Sequence, residues 1–227
     1  MATSEHQDIE SKVAVTSPGA VAPPPPPPVT LSTPTIANPG PLGLSSFALT
    51  TFVLSLHNAS AGMPYGSPSN VVVGLAFFYG GLVQLLAGMW EFRTGNTFGA
   101  TAFSSYGGFW LSYAIMFIPG ANIQAAYADY PGMLSHSLGI YLTSWAIFTA
   151  LLLIACHRST VGLVTLFFCL TITFILLAAA DFNNSATTKV AGGAFGVITA
   201  IIAWYNALAG LLTKESSYFT LPVGHLS

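Results

Sequence analysis

The chain has 227 residues, of which 53% are hydrophobic and only 5% charged, with a formal net charge of −2. A soluble domain is usually about a quarter charged, so this composition cannot dress an aqueous surface and calls for a chain that lies in a bilayer. The slight negative charge excludes a general nucleic-acid footprint.

Residues 1–37 are rich in Pro, Ser and acidic side chains and show no hydrophobic periodicity. They read as a disordered, proline-rich cytoplasmic tail. Its proline run at 23–28 favours polyproline II, either as a spacer or as a docking site for a proline-binding module. No apolar signal-peptide core precedes residue 38, so the first span is expected to direct insertion itself. The border follows at Asn38-Pro39-Gly40-Pro41-Leu42-Gly43-Leu44. Two prolines, two glycines and one amide suit irregular backbone, expected to fold back at the cytoplasmic mouth and order the start of the first span. At membrane depth such backbone is tolerated only inside protein or beside a water-filled cavity.

Six apolar segments follow, over 44–63, 70–90, 97–118, 137–156, 161–180 and 190–212. Each is near the roughly 20 residues that cross the hydrocarbon core. The expected fold is an all-α membrane protein with a six-helix transmembrane domain over 38–212 and a short cytoplasmic tail over 213–227. Residues 119–136 read as an outside loop. With the N-terminus in the cytoplasm, Lys12, Arg93, Arg158 and Lys214 lie inside and only Lys189 outside, which satisfies the positive-inside rule. Both termini are then cytoplasmic, and the sequon at Asn183 faces outward in a short loop.

The span middles hold no Asp, Glu, Lys or Arg, the residues that usually mark intramembrane relays. Neutral polar residues remain, among them Thr50, Gln84 and Asn206, which can hold a small polar solute weakly. Gln84 reads two ways. It is either a hydrogen-bonding tie between helices, flanked by Gly80 and Gly88, or the wall of a passage whose cytoplasmic mouth is Glu91, seven residues on. Phe103, Tyr106, Trp110, Tyr113 and Phe117 form an aromatic stripe that by pattern is more often packing than pore. Gly95-xxx-Gly99, Ser104-xxx-Gly108 and Gly192-xxx-Gly196 permit close helix approach. Cys156 and Cys169 sit in apolar runs as packed thiols. His57 and His157 lack a third partner at metal-ligand spacing, so no metal or other cofactor is expected. With no nucleophile elbow, phosphate loop or paired carboxylates, no catalytic residues are assigned and an enzyme is disfavoured.

The border motif resembles the NPAPLGL signature of the acetate uptake transporter family, with Gly40 where alanine is usual. Phe78-Tyr-Gly-Gly-Leu-Val-Gln84, Asn96-Thr-Phe-Gly99, Ser105-Tyr-Gly-Gly-Phe-Trp110 and Ala203-Trp-Tyr-Asn206 agree in kind and order, and the chain looks like a fungal member. The resemblance covers 38–212. It implies six-helix protomers assembled as a hexamer in the plasma membrane, each with its own path for acetate and related short monocarboxylates. It implies a hydrophobic constriction of Phe47, Tyr106 and Leu170, with Asn38 and Gln84 as further path residues. Gly95 stands where some relatives carry an acid.

The implied function is a transporter or channel for short monocarboxylates, with acetate and protons as partners. A small carboxylate would meet hydroxyls and amides rather than a fixed cation, and the hydroxyl of Tyr106 would hold one of its oxygens. Ammonium transport is the alternative within the same class. A membrane acetate sensor, with the tail as output element, is the alternative outside it.

Overall fold

A computed structural model describes residues 36–226. Most of the expected tail, residues 1–35, lies outside the described residues.

Helix α1 (Gly40–Asn58) starts earlier than the sequence suggested. Pro41 falls in its first turn, where an N–H has no helical partner to lose and the fixed φ is already helical. The Gly40 N–H donates to Asn38 Oδ1 at 2.9 Å, which fixes the entry to that turn. The irregular stretch expected over 38–44 therefore shrinks to Asn38 and Pro39.

Helix α2 runs as one rod, Val72–Thr94, with a π-helical turn over Phe78–Val83 in its middle. Gly95 ends it in the left-handed region at φ +81°, and the next N–H, of Asn96, reaches back to Glu91 O at 3.1 Å. Asn96 then opens α3 (Thr97–Ile115), its Oδ1 accepting the Gly99 N–H at 3.0 Å. Two residues thus end one helix and start the next. Gly95 is accordingly a turn residue, and the Gly95-xxx-Gly99 spacing does not describe a helix contact.

Two short 3₁₀ turns, Pro119–Ala121 and Ala125–Tyr127, lie in the connection to α4 (Met133–Ala155). Thr160 caps α5 (Val161–Asn183) by accepting the Leu163 N–H at 3.2 Å. Ser185 caps α6 (Ala186–Leu211) through the Thr188 N–H. Among the described residues, four helices, α2, α4, α5 and α6, are long and apolar enough to cross a membrane. Helices α1 and α3, 19 residues each, are diluted by Ser, Thr and Gly. Much of that polarity is turned inward: Ser46, Thr50, Thr51 and Ser55 of α1 are all buried. The opposite pattern appears on α4, where Ile140, Ile147, Leu151 and Ile154 form an exposed apolar face. A bilayer or another protein surface must cover such a face.

Helix α1 lies against α6, α6 against α5, α5 against α4, and α2 against α3. The α1–α6 contact is close because α6 presents glycine: a Cβ on Gly193 would stand 2.7 Å from the Asn58 carbonyl carbon, and one on Gly196 would strike Ser55. Helix α3 meets α4 and α5 through rings instead. Phe109 packs on Trp145 at 5.1 Å between centroids, and Tyr106 on Phe148 and Phe167 at 5.9 and 6.4 Å. Rings hold backbones further apart than glycines do, and the interior space of the bundle lies beside them.

Candidate functional site

That space includes two cavities lined by described residues. One, about 160 Å³, is lined by Asn38, Gly40, Gln84, Glu91, Asn96 and Tyr106 among apolar neighbours. The other, about 300 Å³, is lined by Thr51, Asn58, Trp110, Tyr113, Asp181 and Lys189, again among apolar neighbours. The two linings share only Phe47 and Leu170. Tyr106 stands beside them, its ring 5.8 Å from that of Phe47. Phe47 comes from α1, Tyr106 from α3 and Leu170 from α5, and all three are at least 95% buried: 5%, 3% and 2% exposed.

The Tyr106 hydroxyl lies 2.8 Å from Thr149 Oγ1 on α4. Thr149 has one hydroxyl proton, and the geometry places it on the Trp145 carbonyl at 2.7 Å. Tyr106 must therefore be the donor to Thr149. Its proton lies on Thr149, and its oxygen keeps lone pairs, on a residue that lines the smaller cavity. In this arrangement the hydroxyl can accept a hydrogen bond, and donating to a substrate carboxylate would require it to leave Thr149.

The smaller cavity ends in a carboxylate. Glu91 is not an open mouth residue. Helix α2 continues past it to Thr94, and it is 2% exposed. Its Oε2 accepts Asn96 Nδ2 at 2.8 Å and Thr94 Oγ1 at 3.2 Å, while its Oε1 lies toward Gly40. The same short turn that ends α2 thus holds the carboxylate in place. Gln84 follows directly on the π-helical turn, 1% exposed, and its Oε1 has no hydrogen-bond partner among the described residues. The reading of Gln84 as a tie between helices finds no hydrogen bond to support it. A buried amide oxygen without a partner costs about 1–3 kcal/mol, and a π turn often marks a functional position. The Phe78–Gln84 motif is the π turn and the residue it aims.

Other expectations divide. The aromatic stripe lines the cavities along its whole length, with Phe103 and Tyr106 on the smaller, and Trp110, Tyr113 and Phe117 on the larger. Asn38 lines the smaller one. Thr50 and Asn206 line neither. Thr50 donates to Ser46 O and packs where a Cβ on Gly80 would stand 2.7 Å from its Oγ1. Asn206 donates to Ile202 O and packs against Gly162. Each donates to a carbonyl of its own helix and packs at a contact with another. His57 also lies off both cavities. The sequence reading missed Thr149, whose tie to Tyr106 spans 43 residues, and the pair Asp181–Lys189 at 3.2 Å on the larger cavity. Their spacing across the α5–α6 turn was a usable signal.

The chain matches the model of the GPR1/FUN34/yaaH family over residues 21–227. It is 52% identical over 200 residues to acetate permease A of Emericella nidulans, covering 83% of this chain and 66% of that one. It is 53% identical over 192 residues to ammonia transport outward protein 2 of Saccharomyces cerevisiae, covering 82% and 67%. The solved structure of the bacterial acetate channel SatP superposes with a TM-score of 0.73 at 36% identity, covering 84% of this chain and all of that one. This chain spans between 62% and 67% of the length of the curated fungal relatives it matches.

Proposed function

This chain belongs to the GPR1/FUN34/yaaH family, and from that premise we propose that it is a plasma-membrane transporter for acetate and related short monocarboxylates, linked to protons and not an enzyme. The helices α1 to α6 act as six spans with both termini in the cytoplasm, and the protomers assemble as a hexamer with one path each. The path runs in from the Lys189 cavity, crosses the ring of Phe47, Tyr106 and Leu170, passes Gln84 and Glu91, and leaves at Asn38. The observation that carries this reading is that two cavities share only Phe47 and Leu170, with Tyr106 in contact.

The ring supports a specific form of substrate. An unpaired carboxylate in an apolar constriction carries a large desolvation penalty, and here Tyr106 offers it lone pairs rather than a proton. The neutral acid has an O–H to give, and Tyr106 and then Gln84 Oε1 can accept it. Acetate plus one proton therefore crosses as the uncharged acid, which links flux to the pH gradient without a relay of titratable groups in the spans. Radiolabelled acetate uptake into proteoliposomes, with and without an imposed proton gradient, tests this. Uptake that follows the gradient supports it, and no acetate uptake in either condition refutes it.

Ammonium is a second reading. The carboxylate of Glu91 and the unpartnered oxygen of Gln84 would suit a cation, and one relative is named for ammonia transport. Mutual competition between acetate and ammonium separates the two.

A further inference from the structure

We propose that Lys189 and Asp181 form a carboxylate-binding site on the larger cavity, in which an incoming small carboxylate anion displaces Asp181 from Lys189. The inference deepens the transport reading and rests on it for its physiological role.

The pair stands where helix electrostatics opposes both members. Asp181 sits in the last turn of α5 and Lys189 in the first turn of α6. The C-terminal end of a helix carries partial negative charge and the N-terminal end partial positive charge, so each side chain is at the end that disfavours it. Local rules broken in this way are expected at functional positions. Lys189–Asp181 is also the one ion pair among the described residues, and both members line the cavity that abuts Phe47 and Leu170. The lysine side chain is 36% exposed and the aspartate 11%, so an anion can reach the ammonium that the aspartate holds.

A second observation points to the same ligand. Trp110 lines this cavity, is 2% exposed, and its indole N–H has no partner among the described residues. Indole nitrogen is a donor only. The lining of this cavity thus holds both an unpaired donor and a cation, the complement of a carboxylate, whereas the smaller cavity carries the fixed carboxylate of Glu91 among its amides. At neutral pH a short carboxylic acid is almost wholly the anion. The Lys189 site therefore gathers the abundant anion, which on release takes a proton from the outer solution and reaches the ring as the neutral acid. Asp181 is its built-in competitor, which keeps binding weak enough for release.

A plain clasp between α5 and α6 makes a different forecast. Purified full-length protein in detergent is titrated with sodium acetate, against sodium chloride at equal ionic strength, with tryptophan fluorescence as readout. The site predicts opposite signs: Lys189→Gln weakens acetate binding about fivefold, Asp181→Asn tightens it, and Lys189→Arg retains it. Acetate KM in proteoliposomes should move the same way. A clasp predicts that Lys189→Gln and Asp181→Asn lower thermal stability alike and shift acetate affinity in the same direction or not at all, and that result overturns the proposal. Should wild-type protein bind acetate with this pattern yet fail to transport it, the site stands and the transport reading falls.

Discussion

Replacing Thr149 by valine should change which form of the substrate this protein passes. Thr149 is fully buried and lines neither cavity, so the substitution leaves the walls of the path in place. Its hydroxyl takes the Tyr106 proton at 2.8 Å, and valine cannot. The freed proton turns Tyr106 from an acceptor into a donor at the narrowest ring. A hydrogen bond to a charged partner is worth about 1.5–3 kcal/mol, which would favour the acetate anion by roughly ten- to a hundredfold relative to wild type. The loss of one buried hydrogen bond should lower stability by only about 1 kcal/mol. The assay is acetate-dependent current across a planar bilayer or voltage-clamped proteoliposomes, with Thr149→Ser as the control that keeps the hydroxyl. Thr149→Val should gain a current that wild type and Thr149→Ser lack. If all three remain equally silent while transporting acetate at equal rates, the assignment of the Tyr106 proton has no bearing on selectivity and the reasoning fails.

Leu170→Ala should join the cavities of about 160 and 300 Å³ and admit longer monocarboxylates, checked by competition of butyrate against labelled acetate; unchanged exclusion would remove Leu170 from the ring. Glu91→Gln and His57→Gln should both keep gradient-driven uptake, because the proton rides on the substrate; uncoupling by either would move proton handling to that residue. Gly43→Ala should destabilise the protein by about 1–3 kcal/mol in thermal unfolding, since its Cβ would stand 2.6 Å from the Phe103 ring.

The helices were legible where side chains announce their ends. The apolar segments expected from 97 and 161 begin where α3 and α5 begin, and Asn96 and Thr160 cap those starts. The start of α1 was placed too late because Pro41 and two glycines look like loop, whereas proline in a first turn is compatible with helix. The π turn at Phe78–Val83 leaves no trace in hydrophobic periodicity, since an extra residue per turn in a uniformly apolar rod changes no pattern. Gln84, Thr50 and Asn206 looked alike in sequence, each a neutral polar side chain that must be satisfied. Thr50 and Asn206 turn back onto carbonyls of their own helices, whereas the Gln84 oxygen has no partner among the described residues and Gln84 lines a cavity. Phe47 and Leu170 carry no local mark at all, and the family resemblance alone singled them out. Thr149 was invisible because its importance lies in where its own proton goes.

The central claim is that a short carboxylic acid crosses the Phe47, Tyr106 and Leu170 ring without charge. The direct test is simultaneous measurement of acetate flux and current in voltage-clamped proteoliposomes under an imposed pH gradient. Acetate accumulation that follows the gradient with no accompanying current is the predicted result. A large acetate current that reverses with voltage and ignores the gradient would contradict it and make the protein a plain anion channel.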